Sequence, residues 1–126
     1  MQSGEISDAD LSASSSFDVN SVGPKYSRIR TETNGGAWCP KSQIHASSYE
    51  YLEINLGNLT VITSVETQGR FGNGLGQEYT ESYILEYKRE DDKNWIRYHN
   101  RQSESVSILR LFLSLCIIHL FVNKDS

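Results

Sequence analysis

Apolar residues in the middle of this 126-residue chain recur at every second position, and no stretch of useful length repeats at the helical period. In Tyr51-Leu-Glu-Ile-Asn-Leu56, the residues Leu52, Ile54 and Leu56 share one face, while Tyr51, Glu53 and Asn55 share the other. Thr60-Val-Ile-Thr-Ser-Val-Glu66 is rich in β-branched side chains, which suit a pleated, half-buried surface. Ser82-Tyr-Ile-Leu-Glu-Tyr87 places Tyr83, Leu85 and Tyr87 together, and Asn94-Trp-Ile-Arg-Tyr98 follows a charged turn from Lys88 to Lys93. Gly57-Asn58 and Glu90-Asp91-Asp92 supply turn chemistry between these runs. Short strands joined by turns with no helix between them predict an all-β antiparallel sandwich or barrel.

One loop carries more chemistry than its surroundings. Gly69, Gly72, Gly74 and Gly76 fall within eight residues, between two strand-like runs. Arg70 stands at the entry of this loop and Glu78 at its exit. A constrained, oppositely charged loop on a rigid scaffold is a recognition geometry; the alternative is an ordinary surface loop with solvated charges. The cluster is not a phosphate-binding loop, because no Lys-Ser/Thr follows it and it does not open a helix.

The remaining numbers narrow the class. The length suits one domain, and 37% hydrophobic with 10% aromatic residues is enough for a core. A net charge of -4 without a basic cluster argues against nucleic acid. His45, His99 and His119 lie in unrelated contexts, no serine sits in a Gly-x-Ser-x-Gly elbow, and two cysteines are too few for a structural zinc site. No catalytic residue, metal site or cofactor is expected, and an enzyme is the weaker class. Asn58-Leu59-Thr60 fits the N-glycosylation pattern and falls at a strand-to-strand turn, with chance occurrence as the alternative. The first ten residues carry no secretory signal, which taken literally reads as cytoplasmic. Ile108 to Val122 forms an apolar run interrupted by Arg110 and His119, and is short for a membrane helix.

Taken in order, Asp10-Leu-Ser-Ala-Ser-Ser-Ser-Phe17, Gly36-Ala-Trp-Cys-Pro40, Tyr51 to Leu56, Thr67-Gln-Gly-Arg70, Tyr83 to Tyr87 and Asn94-Trp95 resemble the discoidin, or coagulation-factor type C, domains. The resemblance covers about residues 6–106. Gly74-Leu-Gly-Gln-Glu-Tyr79 is similar to the corresponding loop of the discoidin domain receptors, the collagen-activated receptor tyrosine kinases. It implies an antiparallel β-barrel, or distorted jelly roll, with binding loops at one end. Its closing C-terminal strands are not recognisable after about Val106, so 107–126 reads as a divergent tail and the barrel as incomplete. The implied function is an extracellular adhesion module that binds collagen or another matrix protein as part of a receptor kinase. The parent would supply membrane attachment and dimerisation, and this chain would hold no catalytic domain. The absent signal then fits a fragment. The competing reading is a discoidin module for carbohydrate or anionic phospholipid.

The resemblance also assigns residues. Phe17 takes the place of an exposed aromatic that packs against collagen; its alternative is a core aromatic. Arg70 and Glu78 match the charged pair lining the collagen trench, with an internal salt bridge as the alternative. Asn34-Gly35-Gly36 stands where the receptors carry an acidic residue, and a polar threonine is replaced near Ser21 to Pro24. Trp38 is expected to pack beneath the loops. Cys39 matches a cysteine that pairs with one near the domain end. Either Cys116 is that partner on a shortened last strand, or the tail is unrelated sequence. In the second case the chain is expected to fold poorly and aggregate through an unclosed edge.

Overall fold

The computed structural model describes residues 1, 3–45, 47–70, 72, 76, 78–80 and 83–99. The run from Ile108 to Val122, with Cys116, lies outside the described residues, as do Gly74 and Leu75 of the glycine loop. The chain forms two compact units, one built on Met1–Thr80 and the other containing residues 83–99.

In the first unit, a 3-10 turn at Asp8–Asp10 leads into strand β1, Leu11–Ala13. A single helical turn, α1, spans Val19–Val22, and a second 3-10 turn covers Pro24–Tyr26. Strand β2, Leu52–Ile54, runs antiparallel to β1 with Leu11 opposite Ile54 and Ala13 opposite Leu52. The ladder extends beyond the strands: Asn55 N donates to the Asp10 carbonyl at 2.9 Å, and Ser14 N donates to the Tyr51 carbonyl at 3.0 Å. The predicted alternation survives in muted form, with Leu52, Ile54 and Leu56 half-buried and Tyr51 and Asn55 exposed.

The interior of this unit lies beneath the loops. Ile29 and Ala37 are fully buried, and Trp38, Cys39, Val22 and Leu11 nearly so. Trp38 sends its indole N–H to the Ser15 carbonyl at 2.8 Å, which satisfies the one polar atom of a large buried ring. Ser15 extends that anchor by donating from its hydroxyl to Glu50 at 2.8 Å and accepting from Lys41 N at 3.0 Å. Arg28, 13% exposed, gathers the N-terminal segment: it donates to the Met1 carbonyl at 2.6 Å, the Ile6 carbonyl at 2.9 Å and the Asp8 carboxylate at 2.6 Å.

Thr60 to Glu66 departs from the expectation of a strand. Apart from an isolated bridge at Ile62 it forms no ladder among the described residues, and Val61 and Ile62 are exposed. β-propensity measures how well side chains pack against cross-strand neighbours, so without such neighbours a β-branched run is extended chain.

The described residues of the second unit, 83–99, form a hairpin. Strand β3, Glu86–Tyr87, pairs antiparallel with β4, Ile96–Arg97, so that Glu86 opposes Arg97 and Tyr87 opposes Ile96. The opposed charges meet at 3.6 Å. Asp92 accepts from Arg89 N at 2.9 Å, and Asp92 N donates back to the Arg89 carbonyl at 3.1 Å, which closes the charged turn. Tyr83, Leu85 and Tyr87 are half-buried and Ile84 is exposed, as the period of two requires. Burial raises the Tyr83 phenol above its ordinary value.

Candidate functional site

Three loop segments of the first unit meet around α1. The turn starts because Asp18 is a good cap: its carboxylate accepts from Asn20 N at 3.0 Å and from the Ser21 hydroxyl at 2.7 Å. Those two bonds, the Ser21 hydroxyl first, hold the Asp18 carboxyl below its usual value. The carboxylate is thereby turned onto its own backbone. Its neighbours in sequence, Phe17 and Val19, remain 70% and 61% exposed, so the tip of this loop is apolar. Phe17 is therefore not a core residue.

A helix of one turn leaves its last carbonyls without internal partners. Here the segment around residues 34–39 supplies donors for them. Asn34 reaches the Asn20 carbonyl at 3.5 Å, Gly35 N donates to the Ser21 carbonyl at 2.9 Å, and Cys39 N donates to the Val22 carbonyl at 3.0 Å. Phe17 N in turn donates to the Cys39 carbonyl at 2.9 Å. Val22, Ala37 and Cys39 form the apolar cluster beneath these bonds.

The third segment brings the charges. Arg70 N donates to the Glu78 carbonyl at 2.9 Å, which closes the mouth of the glycine loop. Gly69 eases that closure, because a Cβ there would stand 3.2 Å from Tyr79 Cβ and 3.3 Å from the Glu78 carbonyl oxygen, tight contacts that the neighbours would have to yield to. Arg70 Nε donates to the Gly35 carbonyl at 2.9 Å, and Nη1 meets Glu78 Oε1 at 3.3 Å. Both side chains keep partial access to solvent, at 30% for Arg70 and 27% for Glu78. The internal ion pair thus exists, and it lies at the partly exposed surface of the loop rather than in the core. Beside it, Arg30 donates to Glu66 at 2.7 Å while its own N–H donates to Gln68 Oε1 at 3.1 Å, tying the loop before Gly35 to the strand-like run before Arg70.

The structure therefore places Phe17, Arg70 and Glu78 in one unit: backbone bonds join the Phe17 loop to the 34–39 segment, and the Arg70 side chain joins that segment to the glycine loop. Sequence reasoning missed Asp18 and Val19, and read Gly35 only as part of the departure from the receptors' acidic residue. The Asp18-x-x-Ser21 spacing was a readable capping signal; the role of Gly35 depends on a contact distant in sequence. Asn58 is exposed, just after a turn in which Gly57 N donates to Asn55 Oδ1 at 2.9 Å. Cys39 is not a free thiol. Among the described residues, no group of three or more His, Cys, Asp or Glu is arranged to hold a metal ion, and no helix is long and apolar enough to cross a membrane.

In the first unit, a short antiparallel sheet, β1–β2, with a cluster of shaped loops, one of them apolar and one charged, defines a loop-displaying β module. The F5/8 type C domain family matches residues 10–108, and the chain belongs to that family. It is 52% identical over 101 residues to Discoidin domain-containing receptor A of Caenorhabditis elegans, covering 80% of this chain and 13% of that receptor. It is 39% identical over 106 residues to Epithelial discoidin domain-containing receptor 1 of Homo sapiens, covering 84% of this chain and 11% of that protein. Neuropilin-2 of Rattus norvegicus matches at 33% over 109 residues, with the same two coverages. The chain thus spans only a small fraction of the length of these curated relatives, and the matched region is a discoidin domain rather than a catalytic one.

Proposed function

We propose that this chain is the ligand-binding discoidin module of a cell-surface receptor, and that its ligand is collagen. The observation that carries this reading is the presence in one unit of an exposed apolar tip, Phe17, and the partly exposed charges of Arg70 and Glu78 in a neighbouring loop. A triple helix offers rows of backbone carbonyls and apolar side chains, to which that combination is complementary. The similarity to receptors named for their discoidin domains supports the same assignment.

In this reading the module spans residues 6–106, and its sheets belong to an eight-stranded barrel displayed outside the cell. Membrane attachment, kinase activity and dimerisation belong to the parent receptor. Cys39 pairs with Cys116 to close the domain, and Asn58 carries an oligosaccharide; peptide mapping of the secreted protein reads both. Binding to immobilised fibrillar collagen tests the function. Phe17→Ala and the pair Arg70→Ala with Glu78→Ala should each weaken binding about tenfold or more while leaving the circular dichroism spectrum unchanged. Wild-type binding by the double variant would remove the charged pair from the site. The adjacent exposed apolar residues Phe17 and Val19 favour anionic phospholipid as a second reading. Sedimentation with phosphatidylserine vesicles, and none on collagen, would reverse the order.

A further inference from the structure

The segment after strand β2 exposes apolar side chains without the usual protection. Leu59 is 88% exposed and Val61 67%, and Ile62 beside them is exposed as well. From Gly57 to Val65 the chain carries neither charge nor proline, and every residue from Thr60 to Val65 except Ser64 is β-branched. Such a window is a template for strand-to-strand association. Charges, proline or a bulge normally guard it. The nearest charges in sequence are Glu53 and Glu66, and Glu66 is already engaged by Arg30 at 2.7 Å. What stands at the entry is an asparagine. Gly57 holds a left-handed backbone, φ 71°, and its N–H donates to Asn55 Oδ1 at 2.9 Å, a turn that leaves Asn58 in solvent. The Thr60 hydroxyl donates to the Asn58 backbone carbonyl at 2.9 Å, and the Asn58 carboxamide takes no partner among the described residues.

Resting on the reading above that Asn58 carries an oligosaccharide outside the cell, we propose that this sugar is the cover of the patch formed by Leu59, Val61 and Ile62. It keeps the edge from pairing with a second copy of the chain. In the transfer, Asn58 Nδ2 attacks C1 of a polyisoprenyl-diphosphate-linked oligosaccharide. The N–C1 bond forms, the C1–O bond breaks, the diphosphate leaves with the electron pair, and Nδ2 gives up a proton. The first sugar is then fixed on the residue next to Leu59. Its ring C–H groups and acetyl methyl offer surface to the aliphatic side chains, while its hydroxyls stay in water, so apolar area is covered without creating more. The bulk of the attached chain also bars a second strand from the backbone of this segment, the task that a charge or a proline performs on other edges.

The test uses the whole chain, secreted from a eukaryotic host behind a heterologous leader. Peptide mapping first reads whether Asn58 is occupied. By light scattering at equal concentration, Asn58→Gln should then aggregate about fivefold faster than wild type. Enzymatic removal of the sugar from secreted wild type gives the same comparison if Asn58→Gln is not secreted. Val61→Lys should slow aggregation of the sugar-free chain and change glycosylated wild type little, because a charge then guards the edge. His45→Asn completes an acceptor triplet with Ser47 in a different exposed loop. Added to Asn58→Gln, it should leave aggregation fast, since the sugar is then attached elsewhere. Full rescue by His45→Asn, or an unchanged rate after removal of the sugar, would overturn the shield and leave the Asn58 assignment standing. An unmodified Asn58 in the secreted chain would overturn both. Absence of binding to immobilised collagen would defeat the ligand reading alone, since the scattering comparison does not involve a ligand.

Discussion

Replacing Trp38 with phenylalanine separates the two contributions of this side chain. The substitution keeps a buried aromatic ring but deletes the indole N–H that bonds the Ser15 carbonyl at 2.8 Å. That carbonyl then lacks its partner beside a side chain only 2% exposed. Leaving such an acceptor unpaired costs about 1–3 kcal/mol, whereas full truncation to alanine costs about 3–5 kcal/mol. For a domain whose net stability is about 5–15 kcal/mol, either loss is measurable. Equilibrium unfolding in urea, followed by far-ultraviolet circular dichroism, should move the Trp38→Phe midpoint down by about 1 M, given slopes of about 1–3 kcal/mol per M. Trp38→Ala should move it further. The segment around Ser15 should loosen as well, since Ser15 also holds Glu50 and Lys41. An unmoved midpoint for Trp38→Phe would refute the reasoning, because ring volume alone would then account for the burial of Trp38.

Arg28→Lys should lower stability by about 1–3 kcal/mol, because a single ammonium cannot reproduce the divergent bonds to the Met1 and Ile6 carbonyls and Asp8; thermal unfolding reads this as a lower midpoint. Asp18 should titrate below a free aspartate in a carbon-detected nuclear magnetic resonance experiment, and Ser21→Ala should raise it towards the ordinary value. Its folded carboxyl is depressed, so its contribution to α1 is present above the unfolded value and is lost as pH falls through the folded one. The Asn20 amide shift should follow the same curve.

The parts of this molecule that depend on neighbours close in sequence were legible beforehand. The β3–β4 hairpin follows from the spacing of Tyr83, Leu85 and Tyr87 and from the charged turn, both of which act over a few residues. Trp38 beside Cys39 was readable as interior through the resemblance to the discoidin domains. Thr60 to Glu66 misled because β-branched composition registers a preference for pleated surroundings without specifying whether a partner strand is there. At the site, the charge pattern marked Arg70 and Glu78, but not what aims the guanidinium. That depends on a carbonyl 35 residues away, donated by a residue with no side chain to attract notice. Phe17 was ambiguous in sequence because an aromatic serves equally in a core or at a loop tip; the inward turn of Asp18 leaves it outside.

The loop from Arg30 to Gly36 also bears on how freely this sequence can drift. Arg30 holds a left-handed backbone, φ 56°, which costs a side-chain-bearing residue about 1–2 kcal/mol relative to glycine. In return it makes an exposed ion pair with Glu66, worth about 0.2–1 kcal/mol. The two terms oppose each other, so exchange of Arg30 for glycine should cost less in folding than loss of the ion pair alone implies. Five residues on, the terrain changes. Gly35 also lacks room rather than only backbone ease, and no second substitution at Val22 removes the Ser21 carbonyl from its path. In this chain a side chain at position 35 therefore requires the α1 turn to shift, so a change there is tied to changes in the turn it faces.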